Sequence, residues 1–183
     1  MRVITGTARG RKLKAPKGID VRPTSESVKE AIFSAIQFEI DGAVIADLFA
    51  GTGQLGIEAL SRGASRVYFA ENSPESAALI RENLKLCGFP DKAEVSPLSV
   101  GAFLKKTDVK FDIAFLDPPY GQDLIGRTLP DLIPKMNERG LIVCEYEKDA
   151  SVPDTCKNFT ARKTYRHGKK SVTIYCVGDS DEA

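Results

Sequence analysis

A chain of 183 residues, 42% apolar and 28% charged, is long enough to bury a core without disulfide or metal staples. No apolar run approaches the ~20 residues that cross a bilayer, and the basic N-terminus lacks the apolar stretch of a secretory signal. Four cysteines without a CxxC pair, and one histidine, argue against zinc; the expectation is no metal, reduced thiols in the core and a cytoplasmic protein. The net charge of +1 hides a polarity. Arg2, Arg9, Arg11, Lys12, Lys14 and Lys17 open the chain without an acid, and Arg162, Lys163, Arg166, Lys169 and Lys170 cluster near its end. Basic ends on an acidic body point to a polyanionic partner, with solvated termini as the plainer alternative.

In chain order, Met1 to Ala15 reads as a short hairpin around Gly6 and Gly10, broken by Pro16-Lys17-Gly18. Val21-Arg22-Pro23-Thr24 is extended, because a residue before proline avoids the helical region. Ser27 and Glu30 form a capping box for a helix whose Val28, Ala31, Ile32, Ala35 and Ile36 share one face. Strands then alternate with helices: Ala43 to Ala46, Arg66 to Ala70, Lys92 to Pro97, Phe111 to Leu116 and Gly140 to Glu145. The helix after Gly53 stops at Gly63; the next starts at Asn72-Ser73-Pro74-Glu75 and ends at Gly88. Phe159 to Tyr165 and Val172 to Val177 flank the hairpin turn His167-Gly168-Lys169-Lys170. The fold class is α/β: a Rossmann-like, mostly parallel seven-stranded sheet with an antiparallel C-terminal hairpin and an N-terminal hairpin extension. Residues 1–183 form one domain, with 1–24 a basic extension and 25–183 the core.

Gly51-Thr52-Gly53-Gln54-Leu55-Gly56 has GxGxxG spacing between a strand and a helix, and Glu71 follows about twenty residues later, the recipe for an adenosine-containing cofactor. Asp47, just before the turn, would repel a pyrophosphate but suits the ammonium and sulfonium of S-adenosylmethionine; it also suits a plain turn cap. Phe49 and Ala50 add an apolar wall. From the other side Arg22 or Thr24 reaches the cofactor's carboxylate or a catalytic-loop carbonyl, although Arg22 fits an ordinary surface position equally well.

Asp117-Pro118-Pro119-Tyr120 closes the Phe111 to Leu116 strand. In a doubly wound sheet ligands bind at the switch point beyond strands one and four, which places this motif beside the Gly51 turn. Asp117 and the Pro118 carbonyl can accept both N–H bonds of an exocyclic base amine and direct its lone pair at a methyl group. Pro118 and Pro119 fix the loop, and Tyr120 offers a stacking face. His167 suits a hairpin tip or a nucleic-acid contact better than a catalytic base.

The chain resembles the RsmD family of bacterial 16S ribosomal RNA guanine-N2 methyltransferases. The resemblance runs through Ile4-Thr5-Gly6, Arg9 to Leu13, Arg22-Pro23-Thr24, Asp47 to Gly53, Leu55 to Ala64 and Asp117 to Tyr120. It implies S-adenosylmethionine as cofactor, with Gly51, Gly53, Glu71 and Asn72 among its contacts. It also implies 16S rRNA in a partly assembled small-subunit particle as substrate; the chain is expected to act as a monomer that uses neither membrane nor metal. Arg2, Arg9, Arg11, Lys12, Lys14, Arg166, Lys169 and Lys170 are the expected RNA contacts. One departure stands out: Ser99-Val100 occupies the place where related enzymes carry an acid for the cofactor's adenine. The alternatives are adenine-N6 methylation of DNA or RNA and a non-catalytic RNA-binding assembly factor; a nicotinamide dehydrogenase fits least.

Overall fold

The computed structural model describes residues 1–16, 25–119, 121 and 123–178. Ser25 rather than Ser27 opens the first helix, α1 (Glu26–Ala35): its extended backbone lets Oγ accept from the Val28 amide at 3.3 Å. That choice puts Glu26 in the first turn, where the helix dipole favours an acid. The Ser27 hydroxyl instead meets the Ser25 hydroxyl, 3.0 Å away.

From residue 44 onward strands and helices alternate: β1 (Val44–Leu48), α2 (Gln54–Ser61), β2 (Arg66–Ala70), α3 (Pro74–Cys87), β3 (Ala93–Ser96), α4 (Val100–Lys106), β4 (Phe111–Leu116) and α5 (Leu124–Leu132). The chain continues through β5 (Met136–Glu147), β6 (Thr155–Cys156), β7 (Phe159–His167) and β8 (Lys170–Val177). The sheet order is β3-β2-β1-β4-β5-β8-β7-β6. Pairing is parallel from β3 to β5 and antiparallel from β5 to β6. The sequence led to seven strands; the described residues hold eight, because the two-residue β6, too short for any periodicity, pairs with the start of β7.

Alternation along the strands sorts the core into two layers. Ile45, Phe115, Val143 and Ile174 face α1, α2 and α3, packing with Phe33, Ile57 and Ile80. Ala46, Leu116, Ile142 and Tyr175 face the other way, against Phe103, Leu104, Leu129 and Leu132 of α4 and α5.

The expected N-terminal hairpin is present: Arg2 bridges Lys12, and the Val3, Gly10 and Leu13 amides donate to the Arg11, Val3 and Met1 carbonyls at 3.0, 2.9 and 3.2 Å. Its tip also gives amides to α2. Ile4 and Thr5 donate to the Glu58 carboxylate at 2.8 and 3.0 Å, and Ala8 donates to Ser61 Oγ at 2.9 Å. Glu58 is fully buried, with Lys29 at 3.2 Å and Arg62 at 2.9 Å, and Lys29 also donates to the Arg2 carbonyl at 2.6 Å. An amide-bound, doubly paired carboxylate is how a buried charge is tolerated. The basic segment is thereby fastened to the helix that follows the glycine turn.

Candidate active site

The glycine turn is shaped by its backbone. Gly51 and Gly53 take φ of 55° and 75°, and Phe49 takes 61°, a left-handed value uncommon for a bulky side chain. Two acids, the buried Asp47 and the half-buried Glu71, hold the turn. Asp47 accepts from the Gly56 amide at 2.9 Å, tying the end of β1 to the first turn of α2. Glu71 accepts from the Gly51 amide at 2.7 Å and the Ser73 amide at 2.8 Å, so one carboxylate joins the turn to the start of α3. Substitution at Gly56 would drive a Cβ to 2.4 Å from the Phe69 ring; this glycine lets α2 lie against β2.

Across the ends of β1, β2 and β4 opens a cavity of about 760 Å³, within the usual range for a small-molecule site. Asp47, Phe49, Ala50, Gly51, Glu71 and Asn72 line it, as do Ser99, Val100 and Asp117. Gly53, at the N-cap of α2, completes the turn without being part of that wall. Arg22, Thr24 and Tyr120 lie outside the described residues. Ser99 caps α4 through Ala102 at 3.4 Å, so the place where related enzymes carry an acid holds a helix cap beside the cavity.

Pro118 and Pro119 line this cavity and also a larger cleft of about 1310 Å³ on the far side. The cleft is bounded by the start of α5, the end of β5 with its following loop, and the β7–β8 turn, and includes Arg127, Lys148 and Lys169. The Asp117 loop is therefore a partition between two chambers. Arg9, Arg11, Lys12 and Arg166 are exposed, Arg2 pairs with Glu26 at 3.0 Å and Lys14 with Glu82 at 2.9 Å. Lys170 lies in the wall of the smaller cavity, paired with Glu145. His167 pairs with Lys170 across the β7–β8 turn and lines neither chamber.

Two polar residues of the site were missed by sequence reasoning. Gln54 lines the cavity; its Oε1 is buried and lacks a hydrogen-bond partner. Asn83, fully buried in α3, bonds the Lys14 amide at 2.8 Å, the Lys14 carbonyl at 3.2 Å and the Thr52 carbonyl at 3.1 Å. It couples the basic segment to the glycine turn. Gln54 sits inside the GxGxxG spacing and was within reach, whereas nothing in the helical pattern of α3 marks Asn83. Among the described residues no group of three or more His, Cys, Asp or Glu side chains is placed to hold a metal, and no helix is long and apolar enough to cross a membrane.

Comparison with known proteins gives a consistent assignment. The family described as Conserved hypothetical protein 95 matches residues 1–176. Ribosomal RNA small subunit methyltransferase D of Haemophilus influenzae is 36% identical over 180 residues, covering 96% of this chain and 93% of that protein. Its Escherichia coli K12 counterpart of the same name is 30% identical over 186 residues, covering 99% and 93%. Among solved structures, the Escherichia coli protein yhhF, described there as a candidate methyltransferase, superposes with a TM-score of 0.86 at 30% identity over 97% of both chains.

Proposed function

The chain belongs to the Conserved hypothetical protein 95 family, the RsmD family, and on that premise we propose that it methylates the N2 amine of a guanine in small-subunit ribosomal RNA, using S-adenosylmethionine. The substrate in this reading is an assembled or partly assembled small subunit, and the protein acts as a cytoplasmic monomer with residues 25–183 as its catalytic domain. The single observation that carries it is the Asp117-Pro118-Pro119 partition, with a small-molecule cavity on one side and a wide cleft on the other.

The residues present fit S-adenosylmethionine. Asp47, Glu71, Asp117 and the unpartnered Gln54 Oε1 make a surplus of acceptors around the cavity, which suits a ligand with an ammonium, a sulfonium and two ribose hydroxyls. When bound, the cofactor supplies an electrophilic methyl group. The protein's part is to position and to stabilise. Asp117 and the Pro118 carbonyl accept the two amine hydrogens, turning the nitrogen lone pair toward the cavity and stabilising the charge that grows on nitrogen. Pro118 and Pro119 hold those acceptors without further loss of backbone freedom. No strong base is needed beforehand, because the amine loses its proton after transfer. Adenine N6 would satisfy the same two acceptors; the relatives named for the small ribosomal subunit favour rRNA.

Transfer of radiolabel from S-adenosylmethionine to the RNA of unmethylated small subunits tests the reading. Asp117→Ala is expected to slow transfer by about 10³-fold, the scale on which preset charge-stabilising groups act, while calorimetric affinity for S-adenosylmethionine stays within a few-fold. Turnover within tenfold of wild type would remove Asp117 from its role.

A further inference from the structure

The chemistry above leaves one charged pair without a task. Glu145 on β5 is 1% exposed, and its carboxylate is paired with the Lys170 ammonium at the start of β8. Removing both charges from water offsets most of their attraction, so such a pair adds little net stability. Its place at the rim of a ligand cavity points instead to what the ammonium offers a ligand.

Strand register fixes the location. Leu116 pairs with Cys144, and Glu145 with Val172, so Glu145 is one residue past the point where the chain turns off β4 into Asp117. Lys170 is two residues from Val172 and therefore on the same face of the sheet. Lys170 and Asp117 line the same cavity, while Lys169 and Gly168 line the cleft, so the β7–β8 turn straddles the proline partition. The cofactor-type residues Gly51, Glu71 and Ser99 belong to the β1–β3 half of the sheet. Lys170 reaches the cavity from the β8 side of the sheet, the side of Asp117 away from β1–β3.

A guanine amine held at Asp117 has the N1–H donor on one side and the N3 acceptor on the other. An adenine amine in that place has the N1 acceptor on one side and carbon C5, with the N7 acceptor beyond it, on the other, and no ring N–H beside it. Resting on the guanine-N2 reading above, we infer that Lys170, oriented by Glu145, is a specificity-determining residue: its ammonium donates to guanine N3 while the Asp117 carboxylate takes the N2–H and N1–H. Together they read a donor–donor–acceptor edge. Adenine would set a ring lone pair against the Asp117 carboxylate, an unpaired and repulsive contact. Glu145 is the positioning residue, holding the lysine toward the partition.

The test uses small subunits reconstituted with 3-deazaguanosine, in which N3 is replaced by C–H, at the position the wild-type protein methylates. Wild-type kcat/KM is expected to fall about 10–100-fold on the analogue, the range of one hydrogen bond to a charged group. Lys170→Met is expected to lose a similar factor on guanosine and nothing more on the analogue. Lys170→Arg should recover part of the loss, and Glu145→Gln should show a smaller loss of the same kind. S-adenosylmethionine affinity, read by calorimetry, stays within about twofold in all of them, which also reports that each variant is folded. Wild-type indifference to 3-deazaguanosine overturns the inference even if no variant folds. So does a Lys170→Met protein whose main loss is cofactor affinity. Failure of the wild-type protein to methylate any guanine N2 is a separate result, which removes the parent proposal.

Discussion

Asp47 shows how one side chain can serve both the fold and the ligand. Burial pushes its carboxyl up to about 8; the Gly56 amide opposes that rise, and the Asp117 and Glu71 carboxylates add to it. The ligand-free protein therefore holds a proton there at pH 7, which the unfolded chain, with an aspartate near 3.9, does not. Between those two values the folded state binds more protons, so the Asp47 contribution makes the free protein less stable as pH rises toward 8. A cationic ligand favours the ionised form. Affinity for S-adenosylmethionine is thus expected to rise with pH up to about 8 and then level, with proton release on binding. Calorimetry in two buffers of different ionisation enthalpy measures that release; Asp47→Asn should abolish it. Asp47, Gly51 and Asp117 were legible in the sequence because turn geometry and amine chemistry admit few residue types. Asn83 was not, since its amide gains its meaning only from what the fold sets beside it.

Elements were legible where local and tertiary demands agree. The β4 strand appears with the boundaries the sequence suggested, since Phe111 to Leu116 is buried on both faces. The α3 helix keeps its Ser73-Pro74 start and Gly88 stop, with the Ser73 hydroxyl accepting from Ser76 and Gly88 at φ 80°. Short elements escaped. The seven residues of α4 are too few to display a helical period, and α5 carries Pro130 inside it. The N-terminal hairpin was legible but its docking was not, because the Ile4, Thr5 and Ala8 amides go to Glu58 and Ser61, more than fifty residues away in sequence. That docking can be broken in two ways. Glu58→Ala leaves the buried Lys29 ammonium unpaired and is expected to cost about 3–5 kcal/mol in urea unfolding. Gly6→Ala places a Cβ 1.7 Å from the Ser61 carbonyl at a φ of 84°, and should expel the segment from α2. Loss of hydrogen-exchange protection at Ile4, Thr5 and Ala8 with the rest of the sheet intact is the expected signature; unchanged protection would contradict it.

At the scale of the whole molecule, the two ends of the N-terminal segment and the β7–β8 turn meet around one site. Met1, Ala15 and Pro16 from the start of the chain and Lys170 from near its end line the same cavity, and Lys169 lies across the partition. Arg9 and Arg11 lie by Ser61 and Cys87 at the C-terminal ends of α2 and α3, so a polyanion held by them and by Lys169 would extend well beyond the cavity. Replacing Arg9, Arg11 and Lys12 together with Gln is expected to weaken RNA binding without a change in cofactor affinity. The log–log salt slope should shrink by about 0.7–0.9 for each phosphate the variant no longer neutralises. An unaltered slope would place the RNA elsewhere. The charge polarity was visible in the sequence; that Met1, Pro16 and Lys170 border one cavity was not, because it depends on β8 lying beside β5 and on the N-terminal segment docking on α2. The central claim is the identity of the methylated atom. Small subunits from cells lacking this methylation, incubated with the protein and isotopically labelled S-adenosylmethionine, can be digested and their nucleosides resolved by mass spectrometry. The expected result is labelled N2-methylguanosine from 16S rRNA, lost with Asp117→Ala; label in N6-methyladenosine, or none in RNA, would contradict it.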